Sequence, residues 1–247
     1  MRTLVIGVPL PNSTFDNYSF VSAPSFSEYG RLIVDVAAAS RVIDEIVAGE
    51  GAYATFGGQA IVNGESSSHA FALADVLLMR RREGERLVER GALVIAFAQP
   101  DARHTGVVGI EDWRRYGWLP QPDGFSYAED LLPGFGRPGV VVSDEAHPFA
   151  EYGRVFGAKA AYRTVIREHA ASPARVFLRS NAGDAVGAEV PLGAGALVLL
   201  PPPDKSANRT ALAETLLQCM EGWQNKTPAG TDGDQVGANG IRPGEAT

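Results

Sequence analysis

Ala92-Leu93-Val94-Ile95-Ala96-Phe97-Ala98 is an apolar run that follows Gly91 directly and closes a long segment beginning at Ser66. The serines at 66–68 can cap a helix, and a stripe of apolar side chains continues along one face as far as Val88. Gly91 suits the left-handed conformation in which helices commonly end. The stretch therefore predicts a helix over residues 66–90 that is followed at once by a buried strand.

The same alternation of strand and helix occurs earlier in the chain. The runs Thr3–Val8 and Arg31–Val36 are short, apolar and rich in β-branched residues, which predicts two more buried strands. Residues 38–48 predict a short helix, and residues 52–63 alternate as a small hairpin does. Because strands joined through helices pair in parallel, we predict an α/β fold with an open, mostly parallel sheet and helices on both faces.

The second half of the chain supplies the remaining elements. Five further strands are predicted: Gly139–Ser143, Ala161–Arg167, Arg175–Arg179, Ala185–Pro191 and Ala194–Leu200. A last helix is predicted from about Ser206 to Trp223. Residues 1–224 then form one α/β domain, and residues 225–247, which are almost without apolar side chains, are expected to be a disordered tail.

Residues 99–138 predict an aromatic-rich insertion in this domain. They are irregular and carry aromatic side chains at Trp113, Tyr116, Trp118, Phe125, Tyr127 and Phe135. So long an irregular segment is uncommon in a compact domain and is often functional. The aromatic residues either pack on the core or form a lid or an interface.

The overall composition excludes several classes of function. The 247 residues carry 22 basic and 29 acidic side chains, and a net charge of −7 disfavours nucleic acid or an anionic membrane as a partner. A single cysteine leaves no intrachain disulfide and no cysteine-based zinc cluster, which fits a reducing cytoplasm. The N-terminal apolar run is too short for a signal peptide, and no Gly-x-Gly-x-x-Gly or Walker pattern occurs. We therefore expect a cytoplasmic protein without a membrane partner or a cofactor.

Four short motifs resemble one known superfamily. In chain order they are Asp144-Glu145-Ala146-His147-Pro148, Arg175-Val176-Phe177-Leu178, Gly183-Asp184-Ala185-Val186 and residues 193–201. They resemble the class I glutamine amidotransferase-like superfamily, and within it the trehalose-utilisation-type and uncharacterised bacterial branch. The resemblance implies a flavodoxin-like fold.

The chain departs from this superfamily at the catalytic nucleophile. An amidotransferase needs a cysteine on a sharp turn between a strand and a helix. Residues 98–101, where that turn would lie, contain no thiol. The single cysteine, Cys219, lies on the apolar face of the last predicted helix. The sequence thus resembles a superfamily member without a nucleophile, and glutamine hydrolysis is not expected.

Polar residues follow the predicted strands of the first half. In an open parallel sheet, ligands bind beyond the carboxyl ends of the strands. The residues expected to bind a ligand there are Asn12, Asp16, Asn17, Asp35 and Gln99. Asp101 and His104 could form a general base with its orienting carboxylate, or bind a metal. The alternative is a solvated loop in which Asp101 and His104 cap a turn.

A second polar group surrounds a predicted helix start. Asp144 and His147, with nearby acidic residues, could chelate a divalent cation. Acidic residues are also attracted to a helix N-terminus by its dipole, so capping is the alternative for Asp144. His169 is expected to be a surface residue.

Three functions are consistent with these features. The first is a non-catalytic binding or assembly module that recognises a small polar ligand or a protein partner at the strand ends. The second is a hydrolase-type enzyme that uses Asp101 and His104, with or without a metal and with Asp16 or Asp35 nearby. The third is a structural subunit whose insertion presents aromatic residues at an interface, which exposed aromatic side chains would favour. Homo-oligomerisation is left open.

Overall fold

The computed structural model describes residues 2–42, 54–56, 59–63, 68–102, 107–108, 114–134, 136, 139–160 and 162–226. The helices in these ranges are α1 (residues 38–42), α2 (Ser68–Glu89), α3 (Tyr127–Asp130), α4 (Ala150–Phe156) and α5 (Arg209–Lys226). The predicted helix over 66–90 is therefore present as α2. Because α5 continues to Lys226, residues 225 and 226 of the predicted tail are helical, and the rest of that tail lies outside the described residues. No helix among the described residues is long and apolar enough to cross a membrane.

The described strands include a strand at each predicted position, and three of them were not predicted, at residues 15–18, 107–108 and 131–133. They are β1 (Thr3–Ile6), β2 (Phe15–Tyr18), β3 (Arg31–Asp35), β4 (Ala54–Phe56), β5 (Gln59–Asn63), β6 (Leu93–Phe97), β7 (Val107–Val108), β8 (Leu131–Pro133), β9 (Val140–Val142), β10 (Thr164–Ile166), β11 (Arg175–Ser180), β12 (Ala185–Leu192) and β13 (Gly195–Leu200). The pair β4–β5 is antiparallel, as the predicted hairpin requires.

An eight-stranded sheet in the order β2-β1-β3-β6-β13-β12-β11-β9 forms the centre of the fold. The strands from β2 to β13 in this order pair in parallel, whereas β12, β11 and β9 pair antiparallel. The α/β class is confirmed, but the sheet is mixed, and the prediction of a mostly parallel sheet is wrong. Residues 181–184 and 193–194 are the whole connections on either side of β12, and connections this short can only reverse the chain.

The predicted strand over 161–167 does not join the central sheet. Its described part, β10, pairs with β8 in a separate two-stranded sheet, in which Val165 lies opposite Leu132. Since β8 and α3 both lie between residues 99 and 138, the insertion contains regular structure of its own.

Two apolar clusters cover the two faces of the central sheet. Val34 of β3 lies in a cluster with Leu77 of α2. Its neighbour Ile33 lies in the other cluster with Leu216 of α5. This division follows from the alternation of side chains along a strand. Helices therefore cover both faces, and Cys219 is buried in the cluster formed with α5.

The aromatic residues of the insertion are part of the core. Tyr116, Trp118, Phe125 and Tyr127 are all buried and belong to the cluster on the α2 side. Trp113 and Phe135 lie outside the described residues. The exposed aromatic patch on which an interface function would depend is therefore not present among the described residues.

Candidate functional site

The carboxyl ends of β3 and β6 bring two of the predicted site residues together. Asp35 is the last residue of β3 and pairs in register with Phe97, the last residue of β6. Gln99 follows two residues later, and its Nε2 donates to Asp35 Oδ1 at 3.2 Å. Parallel pairing places both strand ends at the same edge, where the sequence order predicted that Asp35 and Gln99 would lie.

Arg41, which is not among the predicted site residues, extends this group to β1. Its Nη1 lies 2.7 Å from Asp35 Oδ2, and its Nη2 donates to the carbonyl oxygen of Gly7 at 2.9 Å. Gly7 has a φ of +80°, and a Cβ on it would come within 2.6 Å of the Ala38 side chain. Glycine is therefore required where β1 meets α1. An arginine in the helix that follows a strand-terminal aspartate was the available signal for Arg41.

Asp101 follows Gln99 by two residues and is held by Arg114 of the insertion. Its side chain is only 1% exposed, and its Oδ2 accepts a hydrogen bond from Arg114 Nε. Its other oxygen, Oδ1, is buried and has no hydrogen-bond partner in the described part of the chain. A buried acceptor without a partner is uncommon in native structures and calls for an explanation.

Tyr116 fixes the backbone that leads to Asp101. Its hydroxyl donates to the carbonyl oxygen of Gln99 at 2.7 Å and accepts from the Gln99 N–H at 2.9 Å. Burial raises the pKa of Tyr116 well above its ordinary value, so the hydroxyl keeps its proton and its donor role. We call Asp35, Arg41, Gln99, Asp101 and Arg114 the carboxyl-edge site.

Asp16 and Asn12 lie at the opposite edge of the sheet and do not join this site. Asp16 lies beside Leu4 near the amino end of β1, and its Oδ2 is 2.7 Å from Arg2 Nη2. Asn12 accepts the backbone N–H of Thr14 at 2.9 Å in the turn that starts β2. The cause is the path of residues 7–14, which run back from the carboxyl end of β1 so that β2 starts at the amino edge.

Asn17 has a structural role in the same connection. Its Oδ1 accepts the Leu10 N–H at 2.8 Å, and its Nδ2 donates to the Leu10 carbonyl oxygen at 2.9 Å. The amide thus satisfies both backbone groups of a buried residue, as an adjacent strand would. Both polar atoms of the Asn17 side chain are thus hydrogen-bonded within the chain, whereas Asp101 Oδ1 is not.

Asp144 does not form a metal site with His147. The pKa of Asp144 lies below its ordinary value, chiefly because of the hydrogen bond from Arg175, and its Oδ1 accepts the Ala146 N–H at 3.1 Å as in a turn cap. In the part of the chain that the structure describes, no group of three or more His, Cys, Asp or Glu side chains is placed to hold a metal. Asp144 therefore caps a turn and not the start of α4, which begins at Ala150 with Phe149 at its N-cap position.

His147 is a buried structural residue. Its ring stacks on Phe177 with the centroids 3.9 Å apart, and its Nδ1 accepts the Phe149 N–H at 3.2 Å. The proton is therefore assigned to Nε2, which lies 3.1 Å from Glu189 Oε2. Burial alone would raise the pKa of Glu189, but the hydrogen bonds from His147 and Trp223 outweigh burial and lower it.

His104, the predicted partner of Asp101, lies outside the described residues. The catalytic pair of Asp101 and His104 therefore stays a prediction. Of the residues predicted to share one site, the structure joins Asp35 and Gln99 directly, and it adds Arg41 on Asp35 and Tyr116 on the Gln99 backbone. Asp101 follows Gln99 by two residues and pairs with Arg114.

Comparisons with known proteins give distant structural similarity only. No family model matches the sequence, and neither does any curated protein. A β-galactosidase from Bacillus circulans sp. alkalophilus is 13% identical with a TM-score of 0.39, over 85% of this chain and 25% of the enzyme. One cytoplasmic protein from Salmonella typhimurium is 11% identical with a TM-score of 0.41, over 91% of this chain and 97% of that protein. A second one is 9% identical with a TM-score of 0.42, over 90% of this chain and 98% of that protein. The chain thus spans about a quarter of the length of the β-galactosidase.

Proposed function

We propose that this chain is a non-catalytic, amidotransferase-like binding module that takes a small polar ligand at the carboxyl-edge site. One observation carries the proposal: the buried Asp101 Oδ1 has no hydrogen-bond partner among the described residues, although it lies where parallel α/β sheets bind ligands. An unpaired buried acceptor destabilises a protein by about 1–3 kcal/mol. A ligand that supplies a donor to this oxygen removes that penalty.

The chemistry of the site defines the ligand further. Asp101 Oδ1 requires an O–H or N–H donor, so a hydroxyl, amide or amine group is expected on the ligand. The side chains of Arg41 and Arg114 are 47% and 34% exposed, and their remaining N–H groups can donate to ligand acceptors. A small molecule with both donors and acceptors therefore fits better than an apolar one.

The state of the only cysteine supports a non-catalytic role. Burial raises the pKa of Cys219 to about 12, so at neutral pH the thiol is protonated and weakly nucleophilic. Cys219 also lies in the apolar cluster under α5 rather than at the carboxyl edge. Glutamine hydrolysis through a cysteine nucleophile is therefore not expected. The hydrolase alternative with Asp101 and His104 remains a prediction, and Asp16, at the opposite edge, cannot assist it.

Ligand binding to the wild type and to Asp101→Asn tests the proposal. Arg114 requires an acceptor, so the amide oxygen of the introduced asparagine turns to it and the NH₂ group takes the position of Oδ1. A ligand donor then meets another donor, and we expect affinity to fall by about tenfold or more, which corresponds to at least about 1.4 kcal/mol.

The ligand is found by native mass spectrometry of protein purified from its source, and its affinity is measured by calorimetry. Asp144→Asn is the matched control, because Asp144 also pairs with an arginine but lies away from the site. Equal affinities of the wild type and Asp101→Asn would overturn the proposal. So would purified protein that carries no small molecule and binds none from a panel of polyols, amines and amides.

A further inference from the structure

A cleft between the insertion and the segment after β10 forms a second polar site. It has a volume of about 700 Å³, within the usual range of small-molecule sites. The turn over residues 121–126 forms one wall, and Glu129, Asp130, Arg167 and His169 complete the lining. None of these residues belongs to the carboxyl-edge site, so the inference below does not depend on the function proposed above.

Asp130 fixes the geometry of this cleft. Its side chain is 6% exposed, its Oδ2 accepts the Ser126 N–H at 2.8 Å, and its carbonyl oxygen accepts the Arg167 N–H at 2.8 Å. Asp130 thus joins the turn on one wall to the segment that carries Arg167. Its Oδ1 lies 3.3 Å from Nε2 of His169, whose side chain is 38% exposed. The buried carboxylate orients the imidazole and leaves its Nδ1 for a ligand.

The cleft also contains charged side chains without partners. Elsewhere on the surface, Arg154, Arg175 and Arg179 each pair with a carboxylate. Within the described residues, the Arg167 guanidinium has no such partner, and Glu129, a carboxylate in the same cleft, is unpaired as well. Asp123 adds a second exposed carboxylate to the lining.

We infer that this cleft binds a small zwitterion, a free amino acid or a dipeptide. The ligand carboxylate pairs with Arg167, whose planar guanidinium matches it in a bidentate manner. The ligand ammonium group pairs with Glu129 or Asp123. An anion alone is repelled by the two free carboxylates, and a cation alone is repelled by Arg167.

Binding of the free amino acids and of a panel of dipeptides to the full chain, measured by ligand-observed NMR and calorimetry, tests this inference. Acetate and methylammonium serve as half-ligands that carry only one of the two charges. We expect saturable binding of at least one zwitterion, and binding of either half-ligand at least about tenfold weaker. Selective binding of single amino acids or of dipeptides identifies which of the two is the ligand.

Two variants locate the site. Arg167→Gln and Glu129→Gln should each weaken zwitterion binding by about tenfold, because each removes one charge-assisted contact. Both residues are exposed, so neither change is expected to unfold the protein. Arg163→Gln is the matched control, since Arg163 is also exposed but does not line the cleft.

Three outcomes would overturn the inference: no zwitterion binds, acetate binds as tightly as the zwitterion, or Arg163→Gln weakens binding as much as Arg167→Gln. Asp101→Asn should leave zwitterion binding unchanged. The two proposals can therefore fail independently, because substitution of Asp101 tests the carboxyl-edge site, and substitution of Arg167 or Glu129 tests the cleft.

Discussion

Replacing Trp118 with alanine tests whether the insertion is part of the core or an independent lid. Trp118 is fully buried. Its ring meets Phe20 edge-on with the centroids 4.9 Å apart, and it lies 6.3 Å from Phe26. Both phenylalanines precede β3 in the chain, so Trp118 joins the insertion to the opening segment of the domain. If the insertion packs on the core in this way, removal of the Trp118 side chain should lower the stability of the whole domain.

The expected magnitude follows from these contacts. Removing a buried tryptophan destabilises a protein by about 3–5 kcal/mol, which includes the lost burial and the cavity. That is a large fraction of the roughly 5–15 kcal/mol by which domains are stable. Trp118→Phe should be much milder, within about 1 kcal/mol. Phenylalanine keeps most of the packing, and the substitution also removes the buried indole N–H, which has no hydrogen-bond partner among the described residues.

Urea unfolding followed by far-UV circular dichroism measures both variants, and Leu132→Ala is the control. Leu132 lies in β8 of the same insertion but is 39% exposed, so its loss should cost less than about 1 kcal/mol. A cost for Trp118→Ala as small as that of Leu132→Ala would refute the reasoning. The insertion would then open without unfolding the domain, and the burial of its aromatic side chains would not stabilise the sheet.

Two further predictions concern Asn17, which was predicted to bind a ligand, and Glu189, which lies beside the predicted metal candidate His147. Asn17→Ala should lower the free energy of unfolding by about 1–3 kcal/mol, because it leaves both backbone groups of buried Leu10 unpaired. Ligand affinity measured by calorimetry should not change. A loss of affinity at unchanged stability would contradict this prediction. The folded-state pKa of Glu189 lies below its ordinary value of 4.5, so its stabilising effect is present above that pH and is lost as the pH falls through the folded-state pKa. Thermal unfolding between pH 6 and 3 should therefore show a shallower acid loss for Glu189→Gln than for the wild type, and parallel curves would contradict the contact with His147.

The sequence predicts those parts of the fold that depend on local pattern. Apolar runs bounded by Gly or Pro mark β1, β3 and β6, and Gly91, with a φ of +68°, ends α2 as its sequence position indicates. The position of Asp35 and Gln99 at one edge could be predicted for a related reason, because each residue lies at the carboxyl end of a strand in the parallel half. Sequence order is enough to place residues at an edge when the direction of the strand is known.

The remainder depends on the path of connections, which the apolar pattern does not encode. Asp16 follows β1 in sequence just as Gln99 follows β6, yet residues 7–14 return to the amino edge before β2 begins. Arg114 reaches Asp101 only because the insertion folds back on its own start, where the Arg115 N–H also donates to the Ala102 carbonyl oxygen. The burial of Trp118 could not be predicted for the same reason, since an aromatic residue fits a core and an interface equally well.

Asp101 differs from Asn17 and Asp35 because one of its side-chain oxygens has no hydrogen-bond partner among the described residues. The amide of Asn17 and the carboxylate of Asp35 use both of their polar atoms within the chain. Asp101 uses one oxygen for Arg114 and keeps the other buried and unpaired. Local folding explains the first two, because their hydrogen bonds satisfy backbone groups and an arginine. It does not explain a buried oxygen that lowers stability by about 1–3 kcal/mol. A ligand at one hundred times its Kd would contribute about 2.7 kcal/mol to stability, which is enough to offset that penalty. The oxygen that lowers the stability of the protein is therefore also the atom expected to bind the ligand. Substitution of Asp101 consequently distinguishes a structural role of this residue from a role in ligand binding.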